Sequence, residues 1–406
     1  MNVVSHAPAF QAPPRDYRLA NWLKDYPPSV SSEGLYQSIE LMERYSIELA
    51  VVLVNRLDLT DQLSEWRSPD ELCHALSFQP RFKVALGWIL ERLVETGCME
   101  KRTDREACAY HLRDVLWQPE LEQLRAVGLE IDPANAATLD LLDHAASLYP
   151  AVARGEQSGD QALFGPQGIA LWLNYFHNNN LTYAVNNWVA ATLAANVVAT
   201  RPTLRILEFG AGAGSASEAL IRCLDERSLL PRIKRYLITE PNAFFRRRAQ
   251  RSLTDQYPEL PLEWGDVDLN LPLATQGLGP AEFDLVFAVN VLHVSKDLLF
   301  SLNQTRSVLS ADGWLVIGEC VRPYTNQPMY PELMFQILES FTDVQTDPAF
   351  RPNPGFLTSD NWRRAFAPAG FERVEVAPDV DRIREICPHF FTGSICGQNM
   401  IRDEWK

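Results

Sequence analysis

The sequence lacks any CxxC pair. Its seven cysteines lie singly at positions 73, 98, 108, 223, 320, 387 and 396. This excludes a zinc ribbon and a dithiol redox motif, and an odd, unpatterned set fits a reducing compartment. It also lacks an excess of basic charge. The formal net charge is −15, which sets the chain against nucleic acid and anionic membrane surfaces, since both repel it. No run of about 18 apolar residues exists, so no membrane span is expected. The N-terminus has no basic stretch leading into an apolar one, so no signal peptide is expected and the cytoplasm is the expected location. Internal repeats and low-complexity tracts are missing as well. What is present is hydrophobic content of 46%, with ten tryptophans, ample for buried cores in two or three structural units.

Residues 1–32 are rich in proline and polar groups and read as an N-terminal arm. From Gly34 to Leu59 apolar residues recur at helical spacing. Ser68-Pro69-Asp70-Glu71 then combines an N-cap serine, a first-turn proline and a glutamate three residues on. That is a capping-box start for a short helix over 69–76. Pro80–Thr96 reads as a longer helix with Val84, Trp88, Leu90 and Leu93 on its apolar positions and Gly97 as its stop. Cys98–Arg102 and Ala109–Leu112 are expected to pair as a hairpin around Thr103-Asp104-Arg105-Glu106. This order over residues 33–115 is that of a winged-helix-like unit. Such a unit binds DNA or serves as a dimerisation and capping domain. The longer helix carries Arg81, Lys83, Glu91, Arg92 and Glu95, a mixed face without a basic stripe. A helical packing domain forming a homodimer is therefore the expectation.

Residues 116–200 read as a mostly helical connector. Within them, Leu171–Trp188 holds six asparagines among aromatics, although asparagine is a mediocre helix former. The stretch is either a simple connection between two helices or a lid over a polar ligand, with Asn174, Tyr175, Asn178 and Tyr183 as candidate substrate contacts. From residue 201 to 406 short apolar runs alternate with amphipathic helices, the pattern of a doubly wound α/β sheet. Leu204–Phe209 is a buried strand running into Gly210-Ala-Gly212-Ala-Gly214, and Ser215 opens a helix. Glycines at 210, 212 and 214 admit a ligand where a Cβ would collide. Glu208, just before them, suits a cationic ligand group. The second strand ends at Glu240, 26 residues after the last glycine, where an acid can accept both hydroxyls of a ribose. Asp266 follows the third strand and can meet an adenine amino group. Phe283–Asn290 and Gly313–Glu319 complete the parallel series. Phe371–Val376 and Phe390–Gly397 would bring the sheet to seven strands.

With E-x-G-x-G-x-G, an acidic second-strand end and Asn290-Val-Leu-His293 after the fourth strand, residues 204–320 resemble the class I methyltransferases. NAD-binding fingerprints instead space their glycines G-x-G-x-x-G. The resemblance implies S-adenosyl-L-methionine held by Glu208, Gly210, Gly212, Gly214, Glu240, Asp266 and Asn290. His293 stands just beyond a strand end, where ligands of open α/β sheets sit, and is the expected general base. Glu319 ends the next strand and is expected to orient it.

Winged-helix O-methyltransferases show this histidine as L-H-D-W, whereas here the text is Leu292-His-Val-Ser-Lys-Asp297. Asn290–Asp297 with Glu319 is more similar to the C-methyltransferase domains of polyketide synthases. The chain shows no carrier-protein or ketosynthase stretch. It also resembles free-standing C-methyltransferases of 2-oxo acids, including those that act on 2-ketoarginine. The resemblance implies methylation of the carbon next to a ketone. O-methylation of a phenolic metabolite and a non-catalytic winged-helix regulator are the alternatives. Arg322 is the candidate fork for a substrate carboxylate. Between 325 and 360, Glu332, Glu339, Asp343, Asp347 and Asp360 stand against Arg351 alone. They form either a solvated face or a pocket for a cation, with Glu332 and Glu339 as candidates for a guanidinium. Some 2-oxo acid enzymes of this type use a metal held by two histidines. Only His389 offers itself beside His293, and no metal is expected.

Overall fold

The computed structural model describes residues 10–104 and 107–400. Residues 1–9 of the expected arm, together with Arg105 and Glu106 of the expected hairpin turn, lie outside them. The chain divides into two compact units. Among the described residues the first takes 10–15, 36–175 and 326–342, and the second takes 16–35, 176–325 and 343–400.

The expected arm is structured. Helix α1, Tyr17–Trp22, starts at Asp16, whose side chain accepts from the Arg18 N–H. Leu19, Leu23 and Val30 are buried, so this segment belongs to the core of the second unit. Polar and proline content hid that, because only three apolar side chains anchor it. Helix α2 runs Glu33–Arg56. Helix α3, Pro69–Ala75, has the capping box of Ser68 and Glu71 in full. Pro80–Phe82 is a 3-10 turn that leads into α4, Lys83–Glu95. Strands β1, Met99–Asp104, and β2, Ala107–Leu112, pair antiparallel. Helices α5, Leu121–Ile131, α6, Asn135–Ala153, α7, Gly159–Leu163, and α8, Pro166–Tyr175, follow in the first unit, which also takes two four-residue helices, Glu332–Phe335 and Glu339–Thr342.

The connector is not a separate unit. It divides after Tyr175, and α9, Leu181–Val197, belongs to the second unit. Helix α9 is apolar on nearly every face, with residues 184–195 buried throughout, as befits a helix packed on a sheet on one side and on a further helix on the other.

The sheet of the second unit is built from β3, Leu204–Phe209, β4, Ile233–Thr239, β5, Leu262–Gly265, β6, Phe283–Val289, and β7, Leu309–Arg322. A two-residue strand β8, Leu357–Thr358, β9, Glu372–Ala377, and β10, Thr392–Gln398, follow. The order is β5-β4-β3-β6-β7-β10-β9, with β8 beside the end of β7. The first five strands are parallel, and β10 runs antiparallel to both neighbours. This is the expected seven-stranded sheet with one short strand added. The order reverses between β3 and β6, which makes the carboxyl ends of these strands the place for a ligand. Helix α9 packs on β7 and β10. Gly318 permits this, because a Cβ there would come within 2.7 Å of the Ala190 Cβ.

Candidate active site

The glycine-rich turn leaves β3 at Phe209 and enters helix α10, Ser215–Glu226, with Gly214 as its N-cap at φ +91°. A side chain at Gly214 would be strained in that conformation and would press on Ala249 and Leu253. At Gly210, φ +62°, a Cβ would come within 2.5 Å of Val291. The turn is therefore a cradle that a single methyl group would spoil. Glu240 sits at the end of β4. One of its carboxylate oxygens accepts from the Gly212 N–H at 2.9 Å and the other from the Asn242 N–H at 2.7 Å. Burial holds its carboxyl above the usual range, and the two N–H groups oppose that. A carboxylate has about four acceptor positions, so each oxygen keeps capacity for a hydroxyl, the donor set that a ribose diol needs. Asp266 is largely exposed, 3.6 Å from Arg246, and Arg246 also donates to the Glu240 carbonyl.

Glu208 is placed differently from the expectation. It is 1% exposed and takes a hydrogen bond from the Tyr236 hydroxyl, in the interior beside Ser217. Burial pushes its carboxyl up to about 7. Its Oε1 has no hydrogen-bond partner among the described residues. Asn178 and Tyr183, expected near the substrate, are on the cofactor side. Asn178 donates to the Ser215 carbonyl at 2.9 Å and to Glu218 at 3.2 Å, and the Tyr183 hydroxyl lies 3.0 Å from Ser215 Oγ. Asn187 braces Asn178 at 2.9 Å. Asn174 is exposed on α8. Tyr175 is buried edge-on to Trp172 in the first unit.

On the other half of the rim, Asn290 leaves β6 at φ +55°, a conformation asparagine tolerates. Its N–H donates to the Gly318 carbonyl at 2.7 Å. The bend aims the next two N–H groups at Glu319. Its Oε1 accepts from Leu292 at 2.9 Å and Val291 at 3.3 Å, while Oε2 meets His293 Nδ1 at 2.7 Å. Glu319 is wholly buried and His293 4% exposed. As a carboxylate Glu319 only accepts, so Nδ1 donates to it and Nε2 is the basic nitrogen. Phe356 packs against the imidazole at 4.7 Å between ring centres. Cys320 follows Glu319, with its thiol 3.7 Å from Asn290 Oδ1 and 3.6 Å from Asn186 Nδ2. Arg322 is nearly buried at the end of β7 and reaches the Pro354 carbonyl at 3.4 Å.

The cation pocket is corrected. Glu332 is wholly buried in the first unit, where it takes hydrogen bonds from Trp88 Nε1 at 3.2 Å and the Met329 N–H at 3.0 Å. Glu339 is half-exposed and ion-paired with Arg81. Both carboxylates are engaged by donors of the chain itself, and charge counting had no means of showing that. Residues 326–342 belong to the first unit and 343–361 to the second, so the acidic segment is not one feature. Sequence reasoning missed Phe356, Tyr236, Asn186 and the role of Arg351. Arg351 was visible only as the lone cation of an acidic stretch. Tyr236 left one trace, as a hydroxyl within the buried half of β4.

Residues 207–315 match a family model described as a methyltransferase domain. The chain is 28% identical over 265 residues to the polyketide synthase PksR of Bacillus subtilis, which covers 64% of this chain and 10% of that protein. It is 26% identical over 349 residues to the highly reducing polyketide synthase ALT1 of Alternaria alternata, covering 83% of this chain and 12% of that protein. It thus spans about a tenth of the length of these relatives. The CurJ carbon methyltransferase structure superposes with a TM-score of 0.77 at 23% identity, over 95% of this chain and 96% of that one. The DszA carbon methyltransferase gives 0.72 at 22%, over 98% of both chains. The trans-methyltransferase CalH, solved in complex with SAH, gives 0.59 at 17%, over 88% of this chain and 90% of that one. At these identities the structural likeness is one of fold, and it extends over nearly the whole chain. Residues 207–315 thus form a methyltransferase domain, and the sheet order and glycine turn agree with a class I methyltransferase fold.

Proposed function

We propose that this methyltransferase acts on carbon, at a position acidified by a neighbouring ketone, with His293 as the general base. The observation that carries this reading is the buried His293–Glu319 pair at the ends of β6 and β7. A carbon acid needs a base with a defined tautomer, and this pair supplies one. Gly210, Gly212, Gly214, Glu240, Asp266 and Asn290 would hold the cofactor, with Asn178 and Tyr183 steadying the start of α10. When bound, S-adenosylmethionine supplies an electrophilic methyl group whose leaving group is a neutral thioether. Nε2 of His293 takes the proton from the substrate carbon, and the electron pair of that C–H bond becomes the enolate. Glu319 stabilises the imidazolium through Nδ1–H. With the cofactor bound, the enolate carbon would take its methyl group as the thioether leaves, and the proton would pass from Nε2 of His293 to solvent. General-base catalysis of this kind contributes about 10²–10⁴-fold, and the positioned approach of the two carbons contributes the rest.

The acceptor class favoured by the polyketide synthase relatives is a β-keto acyl thioester, whose carbon lies between two carbonyls. A small 2-oxo acid presents the same chemistry, and Arg322 could then hold its carboxylate. The 2-ketoarginine choice has lost its support, because Glu332 and Glu339 are otherwise engaged. A homodimer through the N-terminal helices belongs to the same proposal, and light scattering at micromolar concentration tests it. Among the described residues no helix is long and apolar enough to cross a membrane. The decisive assay incubates the protein with methyl-labelled S-adenosylmethionine and, separately, acetoacetyl-N-acetylcysteamine, a panel of 2-oxo acids and a panel of phenols. Label on carbon supports the reading, and label on phenolic oxygen alone overturns it.

A further inference from the structure

Arg351 is the one cation of the acidic segment, and it is wholly buried. Its side-chain partners are carbonyl oxygens. Nη1 donates to Ser295 at 2.6 Å and Nη2 to His293 itself. Nε finds no acceptor. A buried cation without a paired anion is costly, and a neutral donor such as glutamine could have satisfied either carbonyl. The chain nevertheless builds a scaffold for this guanidinium. Asp347 and Arg351 exchange both backbone hydrogen bonds, at 2.8 and 2.7 Å, and Asp347 Oδ1 takes the Ala349 N–H at 2.7 Å. Phe350 is anchored in the hydrophobic core, and Phe356, six residues on, lies against the His293 ring. The same segment therefore presents both the guanidinium and one wall of the base.

We infer that Arg351 is a positioning residue for the His293 base, fixing the 293–295 turn through two carbonyls and setting a permanent positive charge against the negative charge of Glu319. This rests on His293 being the base. A fixed cation beside a carboxylate–imidazole pair opposes protonation of the imidazole. Glu319 and Arg351 contact His293 directly, and the other charged residues on the elements that carry them are Arg322 on β7, Lys296 and Asp297 after the His293 turn, and Asp347 on the Arg351 segment. Of the carboxylates, Glu319 and Asp297 are the ones that act on Arg351, while burial pulls its guanidinium down to about 10.

Removal of the cation makes the imidazolium easier to form, so the base is lost over a wider range below neutral pH. The test reads the His293 ring resonance in histidine-labelled protein across pH, with H293Q assigning the signal, in the parent, R351K and R351M. The R351M midpoint is expected to move up by roughly one to two pH units. In R351K it is expected to stay within a few tenths, because the charge remains. Turnover of R351K should still fall by about tenfold, because an ammonium cannot fork both carbonyls. An R351M midpoint equal to the parent's overturns the inference. If R351M does not fold, an R351K with undiminished turnover overturns it as well. Activity surviving in H293Q would overturn the proposed function instead, and the resonance titration is independent of that result.

Discussion

Two buried glutamates at the carboxyl edge of the same sheet are held in opposite ways. Glu208, at the end of β3, has one strong donor, the Tyr236 hydroxyl, and its carboxyl is pushed up to about 7 by burial. Glu319, on β7, receives two backbone N–H groups and the imidazole of His293, with the Arg351 guanidinium gripping the turn beside it. The first arrangement suits a group that can take up a proton and remain a spacer. The second suits a group whose oxygens are both engaged, one of them by the imidazole. The cofactor half of the rim thus works through backbone shape, and the base half through side chains supplied by β6, β7 and the segment that follows them.

That division is broken most severely at the dyad. H293A should cut turnover by about 10²–10⁴-fold while leaving S-adenosylmethionine affinity unchanged. E319Q should fall in the same range, since it removes the charge and the tautomer control together. Calorimetry beside steady-state rates checks both, and a loss of cofactor affinity equal to the loss of rate would erase the distinction between the two halves. The reciprocal change is E240A. It should weaken the cofactor by about 1–3 kcal/mol and leave the imidazole of His293 undisturbed. Unchanged affinity would remove Glu240 from the cofactor site.

How much of this was legible differs between the halves for the same physical reason. The glycine turn, Glu240 and the parallel strands are local. Strand, turn and helix follow within 23 residues, and each glycine has a backbone reason to be there. His293 and Glu319 were also within reach, because strand ends of an open α/β sheet converge. Arg351, Phe356 and Asn186 were not, since their contacts depend on how the 343–356 segment and α9 pack, and no period or spacing records that. Charge counting failed at Glu332 for a related reason. Composition shows a carboxylate but not the indole N–H from Trp88 that already occupies it. The segment around α1 was misread because its burial rests on three side chains.

The smallest expected effect sharpens the contrast between the two glutamates through pH. The ordinary value for Glu208 is 4.5, and in the folded chain it stands near 7. Between those two values the unfolded chain has released this proton and the folded chain still holds it. The term therefore favours folding at pH 4 and is lost as pH rises through 7, by the linkage of proton binding to stability. E208Q cannot ionise and lacks this slope. Its denaturation free energy relative to the parent should climb between pH 4.5 and 7 and then level off, with a total change on the order of 1–3 kcal/mol. Y236F removes the donor that favours the ionised form, so in that variant the step should move to higher pH. Urea melts at half-unit intervals from pH 4.5 to 8.5 measure both. Parallel curves for parent and E208Q would mean that Glu208 is ionised throughout, and the difference between the two glutamates would vanish.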